Sequence, residues 1–202
     1  MNEKKIIKIY LYTRYERFWH WLQAFIIILL LITGFEIHGT YTLLGFQTAV
    51  NVHNFVGLSW IILFAFFVFW LFTTGEWKQY IPTTKKLFSV VLYYSWGIFQ
   101  GRPHPVQKSP GAKHNPLQRL TYLALSALML PVQMATGLFY YLYNYLNNSI
   151  ELSILAYVHT LVAFLLVNFL MVHVKMTTPG PLLFSKISGM ILGGKRSTRP
   201  QK

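Results

Sequence analysis

The sequence lacks cysteine altogether and has few charged residues. No cysteine occurs among its 202 residues, which excludes disulfides, covalently attached c-type haem, and iron–sulfur clusters or structural zinc sites held by cysteine. Charged residues make up only 11% of the chain and apolar residues 54%, against about 25% and about 45–50% in ordinary soluble domains. A soluble globular fold would leave much of that apolar surface in water, so the composition indicates a membrane protein.

Acidic residues are scarce as well, and the basic residues that outnumber them are unevenly placed. The chain has 5 Asp and Glu against 18 Lys and Arg, and every basic residue lies in residues 1–17, 78–119 or 175–202. The two windows between these blocks, 18–77 and 120–174, contain no Lys or Arg. A helix needs about 20 apolar residues to cross a bilayer, so each window has room for two crossings. The pattern predicts four transmembrane helices, over about 18–37, 52–72, 120–143 and 150–174.

The basic blocks also predict the orientation of the chain. With four crossings all three blocks lie on one face, and basic residues beside membrane helices stay in the cytoplasm. Both termini and the middle loop are therefore expected to be cytoplasmic, in a multi-pass membrane protein. The net charge of +13 then reflects orientation and contact with anionic lipid, and not nucleic-acid binding.

One apolar stretch in the middle loop, Leu87–Phe99, is too short to span the membrane. It has 13 residues, a length typical of interfacial segments, and a crossing there would leave Lys108 outside. We expect instead an amphipathic helix over about 84–99 that lies on the inner membrane surface. The predicted fold class is an all-α integral membrane protein, a four-transmembrane-helix bundle with this interfacial helix in its cytoplasmic loop, forming one domain over residues 1–202.

Four histidines lie within the predicted spans: His20, His53, His159 and His173. Ionisable groups inside a membrane are costly and are candidate functional residues. The alternating helix directions place His20 and His173 near the inner face, and His53 and His159 nearer the outer face. The two histidines of the fourth helix are 14 residues apart, which returns them to within about 40° of one helix face and separates them by about 21 Å. The arrangement predicts two sites at different depths, each formed by two histidines from facing helices.

Two imidazoles at each level suit a haem better than a zinc ion. A zinc site needs three or four ligands at one level, whereas two imidazoles fill both axial positions of a haem iron, an arrangement that serves electron transfer. Small residues in these helices, Gly34 and Gly57 among them, would leave room for flat macrocycles. His38, 18 residues after His20, is a rival ligand for the outer site, although its place just past the apolar span favours interfacial hydrogen bonding.

Two interpretations without haem stay open at this point. Single histidines often form hydrogen bonds between membrane helices. Several of them can also relay protons in a small transporter. A membrane extract with reducible b-type absorbance would distinguish a haem protein from both.

Four passages of the sequence carry a resemblance to a known family. They are YERFWHWLQAFIIILLLITG (15–34), VHNFVGL (52–58), HNPLQRLTY (114–122) and HTLVAFLLVNFLMVH (159–173). The chain resembles the di-haem cytochrome b subunits that anchor formate dehydrogenases, nickel–iron hydrogenases and thiosulfate-type reductases in the bacterial membrane. The distinctive feature is one histidine in each of the first two helices and two histidines spaced by 14 in the fourth.

The resemblance implies two b haems at defined positions. His53 and His159 would ligate the outer haem, near an extracytoplasmic iron–sulfur or multihaem subunit that works with a separate catalytic subunit. His20 and His173 would ligate the inner haem, near a pocket for menaquinone or ubiquinone. The implied function is electron transfer between that quinone and the outer partner in a respiratory oxidoreductase. Direct docking on a multihaem c-type cytochrome is the alternative within this class.

The quinone pocket is placed by the same resemblance. In formate dehydrogenase-type relatives an asparagine at the foot of the third helix lies beside the quinone. The matching residue is Asn115, with Gln118 one turn further along and His114 adjacent. An amide at that depth could donate a hydrogen bond to a quinone carbonyl. Asn115 followed by Pro116 also suits a helix N-cap, and the two roles can coexist.

Overall fold

The computed structural model describes residues 5–10, 12–106, 114–146, 151–176, 187, 190–191 and 194–199. Its elements are, in chain order, strand β1 (Lys5–Tyr10), helices α1 (Arg14–Ile37), α2 (Phe46–Thr74), α3 (Leu87–Leu92), α4 (Pro116–Ala124), α5 (Leu130–Tyr141) and α6 (Leu152–Lys175), and strand β2 (Gly194–Arg199). A short 3-10 segment follows α2 at Glu76–Tyr80, and π-helical turns follow α3 at Tyr93–Gly97 and α4 at Leu125–Met129.

Four helical stretches are long and apolar enough to cross a membrane: α1, α2, α4 continued through α5, and α6. At most 22% of the most apolar part of any of them is buried within the protein. Side chains such as Phe55 and Phe69 instead lie exposed on the helix surfaces. Helices that are apolar all round are typical of membrane spans, where lipid covers these surfaces. The predicted four-helix membrane bundle is thereby confirmed.

The first span begins earlier than hydropathy alone indicates, because polar residues cap its first turn. At α1 the Thr13 backbone N–H donates to Glu16 Oε2 at 2.6 Å, and the Glu16 N–H donates to Thr13 Oγ1 at 3.2 Å. This reciprocal arrangement is a capping box. It starts the helix at Arg14, four residues before the apolar run at 18.

A buried carboxylate fixes the loop between the first two spans. Glu36, near the end of α1, is only 4% exposed. Its Oε1 accepts hydrogen bonds from the backbone N–H groups of Leu43, Leu44 and Gly45, at 2.8, 2.6 and 2.8 Å. The loop therefore ends at Gly45, and α2 begins at Phe46 instead of near residue 52.

The middle loop contains the short apolar helix that the sequence predicts, and the third span has an irregular turn. Helix α3 with its π turn covers Leu87–Gly97, within the predicted 84–99. In the third span the π turn at Leu125–Met129 lies directly before Pro131, which is in the first turn of α5. Proline has no N–H to donate to the preceding turn, and π turns of this kind absorb such a defect.

The chain divides into two compact units. The first comprises 1–18, 78–123 and 168–202, and the second comprises 19–77 and 124–167. The second unit has an apolar core formed by Ile26, Val56, Trp60, Leu130 and Met134. In the first unit β1 pairs with β2 in antiparallel register, with Lys5 opposite Arg199 and Tyr10 opposite Gly194. The sequence prediction contained no strands, so these two short strands are an addition to it.

Candidate functional site

The second unit brings two of the predicted histidines together. His53 of α2 and His159 of α6 face each other with ring centroids 6.4 Å apart and ring planes at 74°. With metal–nitrogen bonds of about 2 Å and rings of about 1.1 Å radius, two imidazoles on opposite sides of one metal ion have centres about 6 Å apart. The spacing of His53 and His159 therefore fits two axial ligands of one iron.

Each of these histidines contacts a threonine on the preceding span. Thr33 Oγ1 lies 2.9 Å from His53 Nδ1, and Thr136 Oγ1 lies 3.1 Å from His159 Nδ1. Both threonines are buried, at 1% and 9% exposure. Sequence reasoning missed them, although a Thr–Gly dipeptide in the span before each outer histidine is visible in the sequence.

The glycines of those dipeptides border the histidine rings. A Cβ atom added to Gly34 would lie 3.5 Å from His53 Cε1, and one added to Gly137 would lie 3.0 Å from His159 Cε1. Gly57, also expected to leave room beside His53, borders Leu30 instead, at 3.9 Å. Gly34 and Gly137 thus form the cradle in which the two rings lie.

Gln133 supplies an amide beside His159. Its Nε2 lies 3.1 Å from His159 Nε2 and 3.3 Å from Nδ1. The side chain is 8% exposed, and its Oε1 has no hydrogen-bond partner among the described residues. A buried amide oxygen without a partner is costly, so the site contains polar groups that the described chain does not satisfy by itself.

The remaining predicted histidines lie elsewhere. His20, in the second unit, has its ring edge-on to Trp21, with centroids 5.4 Å apart. His173, in the first unit, stacks on Phe169 at 5.7 Å. Both are half-buried, and their pairing with each other stays a prediction. His38 is exposed, just past the end of α1.

The predicted quinone residues form a hydrogen-bonded cluster in the first unit. The Gln118 N–H donates to Asn115 Oδ1 at 2.8 Å, and the Asn115 N–H donates to Gln118 Oε1 at 3.1 Å. Asn115 thus caps α4 in a reciprocal capping box, with Pro116 as the first helical residue. Its remaining polar group, Nδ2, donates to the Tyr94 hydroxyl at 3.2 Å. The capping role expected of Asn115 is therefore present, and it leaves the amide N–H groups for other partners.

Tyr94 is the residue of this cluster that sequence reasoning missed. It lies in the π turn after α3, and burial raises the pKa of its phenol. Because its oxygen accepts from Asn115, its own proton is left to donate, and it has no acceptor among the described residues. Its neighbour His104 contacts the ring edge-on, with centroids 5.7 Å apart.

His114 lies between two tyrosines at the same end of α4. Its ring centroid is 5.0 Å from that of Tyr122, edge-on, and 5.8 Å from that of Tyr80. The ring is half-buried. The first unit thus gathers phenol, amide and imidazole groups around the start of α4.

Two comparisons with known proteins bear on this arrangement. The family model of prokaryotic cytochrome b561 matches residues 11–193. A protein of Escherichia coli (strain K12) that is named as a cytochrome, YdhU, is 27% identical over 200 residues, which cover 94% of this chain and 75% of the relative.

Proposed function

This chain belongs to the prokaryotic cytochrome b561 family, and on that premise we propose that it is a di-haem cytochrome b that passes electrons between a membrane quinone and an extracytoplasmic redox partner. Family membership makes it a multi-pass bacterial membrane protein that transfers electrons through b-type haem. The two haems, the quinone, the partner and the orientation with both termini inside go beyond membership and are our proposal. The facing pair His53 and His159 is the observation that carries it.

The residues around that pair fit a haem. Two imidazoles at this spacing, in a part of the fold where glycines border both rings, are what a flat macrocycle with a metal centre would use. His53 and His159 would be the axial ligands of the outer haem, with Gly137 leaving the space that the His159 ring occupies. Bound haem supplies one-electron chemistry, and filling both axial positions with protein ligands favours electron transfer over oxygen binding.

The inner haem is proposed for His20 and His173. Both are half-buried histidines in membrane spans, which are expensive to place there without a functional role. Their ring contacts with Trp21 and Phe169 provide apolar surroundings of the kind that a macrocycle requires. Two haems at different depths would carry electrons across the membrane between the partner and the quinone.

The quinone chemistry needs proton donors at the inner level. Reduction of a quinone to a quinol takes up two electrons and two protons, and oxidation of the quinol releases them. Asn115 Nδ2 and the Tyr94 hydroxyl are adjacent hydrogen-bond donors before the third span, suited to one carbonyl oxygen of a quinone. Burial raises the pKa of Tyr94, so its phenol stays protonated and able to donate. His114 and Gln118 complete the proposed pocket wall.

The proposed partners are redox proteins on the outer side of the membrane. Electron transfer through this chain requires a donor or acceptor on the outer side, so substrate chemistry is proposed to reside on an extracytoplasmic iron–sulfur or multihaem subunit with its own catalytic subunit. A multihaem c-type cytochrome docking directly is the alternative form of that partner. The exposed apolar helix surfaces contact membrane lipid.

Tyr94→Phe tests the quinone part of the proposal. The purified protein is reduced with dithionite, mixed with menadione or a short-chain ubiquinone, and followed by its b-type absorbance. Loss of one neutral hydrogen bond of about 0.5–1.5 kcal/mol should slow haem reoxidation by roughly two- to tenfold, without loss of haem. Tyr93→Phe is the control, because Tyr93 packs on His104 and has no hydrogen bond to Asn115.

A variant of Asn115 separates its two roles. Asn115→Asp keeps the side-chain oxygen that caps α4 but removes the Nδ2 donor, whereas Asn115→Leu removes both. Slow reoxidation in Asn115→Asp with unchanged thermal stability is the expected result. Normal reoxidation in both Tyr94→Phe and Asn115→Asp would place the quinone elsewhere.

A further inference from the structure

The two outer histidines make the same contacts with a Thr–Gly dipeptide, each in its own helix hairpin. Thr33 in α1 contacts His53 in the next helix of the chain, and Thr136 in α5 contacts His159 in the next helix. In both cases the threonine oxygen meets Nδ1 of the imidazole. In both cases the following glycine borders Cε1 of the same ring. Because the same contacts occur at both histidines, they are attributed to a shared role in holding the two imidazole rings.

The direction of these hydrogen bonds follows from where the threonine protons go. Thr33 Oγ1 lies 2.8 Å from the Leu29 carbonyl oxygen, and Thr136 Oγ1 lies 2.8 Å from the Val132 carbonyl oxygen. A threonine in a helix commonly donates its proton to the carbonyl four residues earlier. A hydroxyl has one proton, so each threonine has only lone pairs left for the imidazole. The histidine must then supply the proton, from Nδ1.

A second acceptor beside each ring supports the same assignment. The Leu30 backbone carbonyl interacts with the His53 ring, and the Gln133 backbone carbonyl interacts with the His159 ring. Each carbonyl belongs to the residue three positions before the threonine, and a carbonyl can only accept. An acceptor of this kind beside each ring, in addition to the threonine oxygen, favours a ring N–H as its donor.

The Gln133 side chain is compatible with this assignment. Its Nε2 lies 3.1 Å from His159 Nε2 and 3.3 Å from Nδ1. An amide nitrogen donates and does not accept. With Nδ1 protonated, its proton goes to the nearer Nε2, the lone pair that the iron would take.

We propose that Thr33 and Thr136 are positioning residues that hold both outer ligands as Nδ1–H tautomers, each with an unprotonated Nε2 for the haem iron. This inference rests on the proposed ligation of the outer haem by His53 and His159. A hydrogen bond at the far nitrogen of a metal-bound histidine fixes the ring orientation and raises the basicity of the ligand. A more basic ligand stabilises the oxidised iron, so these threonines lower the midpoint potential of the outer haem.

Thr33→Val and Thr136→Val test this role, because valine keeps the shape of threonine and removes the oxygen. Potentiometric titration of the b-type absorbance should show the outer haem easier to reduce. The expected change is about threefold in its reduced-to-oxidised ratio at a fixed potential, or about 28 mV for a one-electron couple. The inner haem should not change. Thr33→Ser and Thr136→Ser should restore the original potential.

Thr73→Val is the matched control. Its hydroxyl donates to the Phe69 carbonyl at 2.9 Å within α2, so the variant loses a helix back-bond of the same kind without touching an outer histidine. An unchanged outer potential in both valine variants would overturn the inference. A shift of equal size in Thr73→Val, or one that serine does not reverse, would overturn it as well.

If a valine variant loses haem, the matching serine variant shows whether the missing hydroxyl is the cause. If serine retains the outer haem at its original potential, the hydroxyl is the feature required and the inference stands. If serine loses the haem too, the inference fails. Failure of the proposed function would look different, since the wild-type protein would then lack the outer haem, or His53→Ala would retain it.

Discussion

At the residue scale, the space beside the two outer histidines differs. A Cβ at Gly34 would lie in ordinary contact with His53, at 3.5 Å, whereas a Cβ at Gly137 would come within 3.0 Å of His159. The neighbour at Gly137 is a ring held by Thr136, so it cannot move aside without giving up that hydrogen bond. Alanine substitutions at the two glycines are therefore expected to have different effects on haem binding and stability.

Gly137→Ala should weaken binding of the outer haem and destabilise the loaded protein by about 1–3 kcal/mol, the usual cost of overpacking. Gly34→Ala should be neutral or slightly stabilising, because replacing glycine in a helix with alanine gains about 0.5–1 kcal/mol. Haem content and thermal unfolding in detergent measure both effects. Equal behaviour of the two variants would mean that the ring of His159 is free to shift.

At the scale of elements, Glu36 holds the loop between the first two spans. One carboxylate oxygen accepts three successive backbone N–H groups, from Leu43 to Gly45. The Tyr41 hydroxyl also ties the loop to α1 by donating to the Ile32 carbonyl oxygen. Among the described residues, Glu36 is the side chain that accepts from the backbone of residues 43–45, so the order of that part of the loop depends on it.

Glu36→Ala should therefore release the loop while leaving the spans in place. Amide hydrogen exchange at 43–45 is expected to speed up strongly in Glu36→Ala. Glu36→Gln keeps an oxygen that can accept, and exchange there should rise only slightly. Exchange that is unchanged in the alanine variant would show that the loop is ordered by something else.

Helices and site residues could be predicted from the sequence to different extents. The four spans follow from windows free of Lys and Arg, which is a property of the linear chain. The start of α2 does not follow from these windows, because it depends on the hydrogen bonds between Glu36 and the loop. That His53 and His159 lie at a similar depth could be predicted from the directions of their helices alone. Thr33 and Thr136 were missed because hydropathy does not tell which face of one span meets the next.

Tyr94 was missed for a related reason. The sequence predicts only that Tyr94 lies in a helix on the inner membrane surface, where tyrosine is common. Its hydrogen bond to Asn115 joins residues 21 positions apart and depends on how the middle loop folds, which local pattern does not determine. The cap formed by Asn115 and Gln118 could be predicted from the sequence, because both residues lie within one helical turn.

At the scale of the whole molecule, the absence of cysteine makes the proposed orientation easy to test. Single cysteines can replace Thr42 in the first loop, and Lys85 and Arg102 on either side of α3, all of them exposed. Lys108, which a crossing by Leu87–Phe99 would leave outside the membrane, lies outside the described residues. In intact cells an impermeant maleimide should label only Thr42→Cys. Labelling of Arg102→Cys from outside would mean that the Leu87–Phe99 segment crosses the membrane.

Haem content per chain, measured in pairs of histidine variants, decides whether the four histidines form two separate sites. Wild-type protein should carry two b haems, and His53→Ala should carry one. The double variant His53→Ala, His159→Ala should also retain one haem, because both changes affect the same site. The double variant His53→Ala, His20→Ala should retain none. One haem in the wild type, or the loss of both haems from His53→Ala, His159→Ala, would contradict the pairing on which the proposed function depends.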